Sequence, residues 1–515
     1  MKRRPKIVII GAGPGGLAAA MLLARFDADV TVIERQAHVG GRTASIRTDG
    51  YTFDTGPTFF LYPEALREIF HACGFDLDRE VDLIRLDPQY RLQFEDGTRL
   101  DATPDIESME AQIAAIAPND ARNFRAFMEH SRRKFIAFRP AFRRSFEGPT
   151  DLLAPEIRRA LPLLAPWRSV DDELKRYFAD PRIRIAFSFQ TKYLGMSPFR
   201  CPSLFTILSF LEYEYGVFHP RGGCGAVMTA MAKAADRMGV SIRLNEPVEE
   251  VLVKGRRAVG VRTGARTYEA DAVVMNADFA QAMTTLVPNS VRRRWNDRRI
   301  ERARYSCSTF MMYLGLEGQL DQLPHHTIYL ASDYARNIAE IEAGKLLSEN
   351  PSLYVQNASV TDPTLAPRGD STLYVLVPVP HRSDHIPWND IAAYRSRVLR
   401  QLAKLGLPDI EGRIRSERIV TPHDWETEQN IYRGATFSLR HSMNQMLHRR
   451  PHNRFEDLAG MYLVGGGTHP GSGLPVIFQS ARISTDLIEQ DLALQPRPFR
   501  RAVPPTPVAV GVLAK

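Results

Sequence analysis

The stretch "KIVIIGAGPGGLAAAMLLARFDADVTVIE", Lys6–Glu34, decides the fold. It reads as a short β-branched strand, a glycine turn, a helix-forming run and a second β-branched strand. Gly11, Gly13 and Gly16 stand in the spacing G-x-G-x-x-G, directly after the first strand and at the mouth of the helix, and Glu34 ends the second strand. In that context the motif points to a dinucleotide. Gly11 permits the tight turn, Gly13 lets the backbone approach a pyrophosphate, and Gly16 lets helix and strand pack closely, with the helix N-terminus facing the phosphates. Glu34 is placed to accept hydrogen bonds from the adenosine ribose. The fold class this predicts is α/β, built on a Rossmann-like domain.

Working outward, "HVGGRTASI" brings Gly40, Gly41 and Arg42 soon after the ribose acid. A second backbone approach plus a guanidinium suits FAD, with its long diphosphate tail, better than NAD. Near the other end, "VGGGTHPGSGLP", Val464–Pro475, carries Gly465, Gly466, Gly467, Gly471 and Gly473, so the backbone there is expected to come close to something. His469 is the one titratable side chain in that turn; an acid–base role is open to it, but holding the turn by hydrogen bonds is the preferred reading. Asp54, in "YTFDTGP", is the other candidate acid or base, against a bland role capping the turn at Gly56 and Pro57. His325 and His326 have no carboxylate or third histidine at ligand spacing, so no metal site is expected.

Composition bounds the rest. A chain of 515 residues, 44% hydrophobic and 24% charged, is an ordinary globular composition for two or three domains. Cys73, Cys201, Cys224 and Cys307 are scattered without a C-x-x-C pair, which argues against disulfides or zinc and for a reducing cytoplasm. The apolar run in "MKRRPKIVIIGAG" breaks at glycine too early for a secretory signal, and no stretch is long enough to span a bilayer. A formal net charge of +8 suits an anionic partner. Nucleic acid is set aside because no recognition motif accompanies the charge. A membrane surface fits "HSRRKFIAFRPAFRRSF", where Phe135, Phe138, Phe142 and Phe146 interleave with Arg132, Arg133, Lys134, Arg139, Arg143 and Arg144. A core helix with a solvated charged face is the competing reading.

The expected division is an FAD-binding domain from 1–70, 215–285 and 455–492, and a mixed-sheet substrate domain from 71–107 and 286–454. A helical subdomain, 108–214, is broken at Pro140, Pro155, Pro162 and Pro166. The runs "VSIRLN", "EEVLVKG", "RAVGVRT" and "DAVVMNA" suggest a small sheet inserted within the first domain. The proline-rich tail, 495–515, reads as disordered.

Five blocks in order make a resemblance specific: residues 39–64, 187–207, 216–227, 354–380 and 434–475. Together they resemble the bacterial carotenoid desaturases, a branch of the flavin amine oxidase-like superfamily. The resemblance implies FAD as cofactor, with Gly465, Gly466 and Gly467 touching it. It also implies that Val248 opens the strand whose backbone meets adenine, and that Arg221, Gly222 and Gly223 lie near the flavin. It implies a lipophilic isoprenoid substrate, phytoene or dehydrosqualene, with the C30 chain preferred. Oxygen or a quinone would be the electron acceptor, and the enzyme would be cytoplasmic and docked peripherally on the inner face of the cell membrane. Amine oxidases carry an acidic residue just after the last strand; only glycine stands here, which separates this chain from them. Two alternatives share the fold: an oxidase of carotenoid end groups, and a prenyl-binding escort without catalysis, which an intact flavin cradle disfavours.

Overall fold

Lys6–Ile10 and Asp29–Ile33 are rich in β-branched residues and buried over most of their length, as parallel strands covered on both faces are. They pair in parallel, Ile7 beside Val30, and Ala272–Met275 pairs on the other side, Val8 beside Val273. Ser241–Arg243 and Met461–Leu463 close the edges, giving the spatial order 241–243, 29–33, 6–10, 272–275, 461–463. The helix Pro14–Leu23 is buried nearly all round, because Cys224–Arg237 and Leu474–Leu492 pack against it. The computed structural model describes residues 3–497 apart from 384, 387 and 389.

A second, seven-stranded sheet runs in the order 414–420, 308–316, 371–379, 353–356, 326–330, 90–94, 99–102. Its long central strands, Ser308–Leu316 and Ser371–Val379, pair antiparallel over nine residues and are buried almost throughout. The hairpin Ser45–Thr48 and Tyr51–Asp54 lies on this sheet, with Tyr51 and Phe53 among Met311, Tyr313 and Tyr374. The division expected from sequence puts these residues within the 1–70 segment of the FAD-binding domain. Two tyrosine hydroxyls anchor the residues just past the hairpin: Tyr313 donates to the Thr55 carbonyl at 2.6 Å and Tyr374 to the Gly56 carbonyl at 2.8 Å.

Three expectations are corrected. Of the four strand runs read as one inserted sheet, the outer two join the parallel sheet. Val248–Lys254 and Arg257–Thr263 instead form a separate antiparallel sheet with Thr267–Glu269. The tail does not begin as disorder: Gln495 accepts from the Asp27 amide and Arg497 donates to the Arg25 carbonyl, both at 2.8 Å. The remainder of the expected disordered tail, 498–515, lies outside the described residues. Finally, the phenylalanines around Phe124–Phe138 face inward. Phe135, Phe138 and Phe146 are buried in a core that runs through the helices between Ile106 and Tyr215. Three of the arginines are taken up in ion pairs, Arg139 and Arg143 with Glu68 and Arg144 with Asp151 and Glu156. Residues three and four apart share a helix face, but spacing does not say which way that face points. Among the described residues no helix is long and apolar enough to cross a membrane.

Candidate cofactor and substrate site

The first glycine turn is built from backbone. Gly11 takes φ +96°, and a Cβ on Gly16 would sit 2.1 Å from the Gly11 carbonyl oxygen, so both positions exclude a side chain. Glu34 is buried beside this turn; its carboxylate accepts from the Ala12 amide at 2.7 Å and the Gln36 amide at 2.8 Å. Gly40, at φ +111°, donates to the Ala12 carbonyl, and a Cβ on Gly41 would lie 3.5 Å from the Gly13 Cα. The two glycine pairs therefore face each other across a narrow gap, next to a helix N-terminus with free amides. The chain brings Val248 to the same edge: the Glu246 amide, two residues earlier, donates to the Glu34 carbonyl. Arg42 donates to the Thr436 carbonyl at 2.6 Å. Burial lowers its pKa, while nearby Asp278 partly offsets that effect.

The second glycine turn abuts the first through Asn276, at the C-terminal end of Ala272–Met275. Its side-chain amide donates to the Gly11 carbonyl at 3.0 Å, and a Cβ on Gly465 would lie 3.4 Å from its Oδ1. Ligands of open α/β sheets bind at the carboxyl ends of the strands, and the polar residue after "AVVM" was the available signal for this one. The turn itself hangs on Arg450, which is fully buried. Its guanidinium donates to the carbonyls of Gly466 at 2.6 Å, Thr468 at 3.0 Å and Leu439 at 3.1 Å. No carboxylate pairs with it among the described residues, and burial pushes its pKa down to about 9. Ser472 donates through its amide to His441 Nε2 at 3.0 Å, and through its hydroxyl to the Phe437 carbonyl at 2.6 Å. Part of the glycine content answers to protein packing: a Cβ on Gly467 would sit 2.4 Å from the Phe279 Cβ, and one on Gly471 2.3 Å from His441 Nε2.

His469 is buried with its ring turned to the helical segment. Nε2 donates to the Ala141 carbonyl at 3.1 Å and the ring edge meets Phe146. Burial brings its pKa down to about 4, so it is neutral at pH 7. Asp54 does not cap the turn at Gly56 and Pro57, as the bland reading expects. It accepts from the Cys224 amide at 2.7 Å, at the N-terminus of Cys224–Arg237. Burial raises its pKa to about 7 against the pull of the Cys224 and Gly225 amides. Arg221 pairs with exposed Asp82, while the Gly222 amide donates to buried Asp362. His219 joins His325 and His326 in a buried cluster, its ring 4.6 Å from that of His325. Among the described residues no group of side chains is arranged to hold a metal ion.

These residues fit a flavin dinucleotide: a buried carboxylate, a helix N-terminus and two glycine-rich turns meet at the carboxyl ends of a parallel sheet. Residues 14–488 match the flavin containing amine oxidoreductase family. The chain is 45% identical to a 4,4'-diapophytoene desaturase (4,4'-diapolycopene-forming) of Methylomonas sp, covering 95% of this chain and 96% of that one. It is 40% identical to an all-trans-zeta-carotene desaturase of Myxococcus xanthus, over 97% and 96% of the two chains. An oxidoreductase from Methanosarcina mazei shares the fold, with a TM-score of 0.61 at 17% identity, over 94% of this chain and all of its own.

Proposed function

The chain belongs to the flavin containing amine oxidoreductase family, within it to the bacterial carotenoid desaturases, and we propose that it desaturates a long polyisoprenoid hydrocarbon with FAD, preferring the C30 chain. The observation that carries this reading is the end-to-end 45% identity to a 4,4'-diapophytoene desaturase, in a chain whose two glycine turns meet across Asn276. A bound flavin would supply the acceptor for a hydride leaving the substrate. The protein has to hold the cofactor, align the chain and exclude water, since a hydrocarbon offers no leaving group. Glu34, the amides after Gly11, and Gly40–Arg42 would hold the dinucleotide end. Gly465–Gly467, set by Arg450, would hold the ring end. The test is co-expression with a dehydrosqualene synthase and, separately, a phytoene synthase. Pigment absorbance and mass should show longer conjugation in the C30 host first; colourless hosts of both kinds would end the reading.

Such a substrate partitions into the bilayer core, each methylene favouring it by about 0.8 kcal/mol, so the enzyme docks on membranes peripherally. The support for a docking face lies just beyond the cluster expected from sequence. Leu153 at 67% exposure ends one short helix, Leu161 at 45% lies on the next and Trp167 at 67% in the turn after it, together with the exposed Arg158 and Arg159. Apolar anchors next to cations suit an anionic surface, each cation adding about 1 kcal/mol. In liposome flotation, Leu153→Ser/Leu161→Ser/Trp167→Ser should lose anionic vesicles, and Arg139→Glu/Arg143→Glu/Arg144→Glu should float nearly as the wild type does. The reverse result would return the docking face to residues 132–146.

A further inference from the structure

Tyr354 stands in the middle of the seven-stranded sheet, on Leu353–Gln356 between Ser371–Val379 and His326–Leu330. Its hydroxyl lies 2.7 Å from Thr58 Oγ1 and 2.8 Å from His326 Nδ1. Thr58 belongs to the run that passes the cofactor cradle: a Cβ on Gly56, two residues earlier, would meet the Arg42 carbonyl oxygen at 2.7 Å. Burial pushes the Tyr354 pKa well above the usual tyrosine value, yet the residue keeps part of its surface accessible, as do Gly56, Pro57 and Phe59. A residue so deep that is still accessible lines a space within the molecule. His326 is fully buried and stacked on Phe59, ring centroids 4.1 Å apart, and burial keeps it neutral. With Thr58 donating to Tyr354 and Tyr354 to Nδ1, both hydroxyl hydrogens find acceptors, and the imidazole hydrogen sits on Nε2, which has no partner among the described residues. The other titratable candidates are engaged elsewhere: Asp54 accepts from the Cys224 amide and His469 faces Ala141.

We propose that Tyr354, backed by His326, takes the proton that the hydrocarbon loses as a double bond forms. The proposal rests on the desaturation reading above. A hydride leaves one carbon for the flavin, and the neighbouring carbon gives up its hydrogen as a proton. The electron pair of that second C–H bond becomes the new π bond. The proton joins the Tyr354 oxygen while the hydroxyl's own proton passes to His326 Nδ1. A hydroxyl and a buried neutral imidazole are weak bases, but a C–H bond beside a carbon that has lost hydride is strongly acidic, so the relay suffices. Burial disfavours the imidazolium, which returns its proton through the same hydroxyl when product leaves and water enters.

Tyr354→Phe keeps the ring and removes the hydroxyl. It should retain its flavin and melting temperature, bind a polyisoprene hydrocarbon in detergent within about twofold of wild type by fluorescence quenching, and lose at least about a hundredfold in kcat. His326→Gln can accept from the hydroxyl but cannot take up a proton, and should lose at least about tenfold. Deuterium at the carbon that loses the proton should slow both variants more than it slows wild type, which a packing role for Tyr354 would not produce. The placement is tested without any variant and without flavin: a diazirine-bearing polyisoprene hydrocarbon, irradiated with flavin-free wild type, should label Tyr354. A kcat within about threefold of wild type in both variants, equal isotope effects in all three proteins, or no label on residues 353–356 overturns the proposal. Wild type that labels at Tyr354 but neither holds flavin nor desaturates ends the desaturation reading, and the proton role of Tyr354 with it, while the label shows that the hydroxyl does face the hydrocarbon.

Discussion

The two glycine turns meet at Asn276 but are held in different ways. Around Gly11–Gly16 the partners are local: Ala12 with Glu34, Gly40 with Ala12, Gly11 with Ile33. Around Gly465–Gly473 they are side chains from one preceding segment: His441, Arg450 and Asn453, the last donating to the His469 carbonyl at 3.0 Å. A turn held largely by backbone bonds keeps most of its shape when one side chain is lost. A turn hung from a buried guanidinium does not.

The largest effect should therefore come from Arg450→Met. It strands the carbonyls of Gly466, Thr468 and Leu439 in the interior, and an unmet buried acceptor costs about 1–3 kcal/mol. With part of that loss relieved by relaxation, we expect about 3–5 kcal/mol of stability to disappear together with bound flavin, measured by thermal melting and flavin absorbance. Arg450→Lys should recover a fraction, because an ammonium cannot reach three carbonyls from one planar fork. Near-normal melting of Arg450→Met would mean that the second turn is as self-supporting as the first.

Glu34→Ala should act more narrowly. It removes an acceptor from the Ala12 amide and a charge-assisted partner for the ribose, worth about 1.5–3 kcal/mol, or roughly tenfold to a hundredfold in flavin affinity. The melting temperature without added flavin should move far less than in Arg450→Met. Unchanged reconstitution with FAD would remove Glu34 from the cofactor site, and NAD should not substitute in either protein.

This contrast also sets what could be read in advance. The first turn was legible because strand, glycine spacing, helix and acid all lie within Lys6–Glu34, and local chemistry dictates them. Arg450 was not: in "HRRPHNRF" it looks like its neighbour Arg449, which is exposed, and only tertiary packing separates the two. Asp54 was legible as a special residue but not in its role, since the amide it accepts from belongs to Cys224, 170 positions away. The Phe135–Phe146 pattern gave a helix face but left its direction open, because apolar periodicity beside arginines fits a core as well as a membrane, and the core is what forms.

The smallest effect on the cofactor is expected from His469→Ala, and its value lies in the sign of a pH effect. The residue shares its turn with Gly466, yet its ring contacts are to Ala141 and Phe146, away from the backbone that Arg450 positions. Flavin content and most turnover should survive, with about 1 kcal/mol lost for the hydrogen bond to Ala141. Burial holds the His469 pKa at about 4, below the 6.5 of a free imidazole, so the unfolded chain binds the proton more readily in between. Wild-type stability should accordingly fall as pH drops from 6.5 towards 4, and the variant should lose part of that slope. Urea titrations at pH 7 and pH 5 measure it. Loss of turnover with full flavin would make His469 a catalytic group after all, and an unchanged slope would show that other buried groups carry the acid sensitivity.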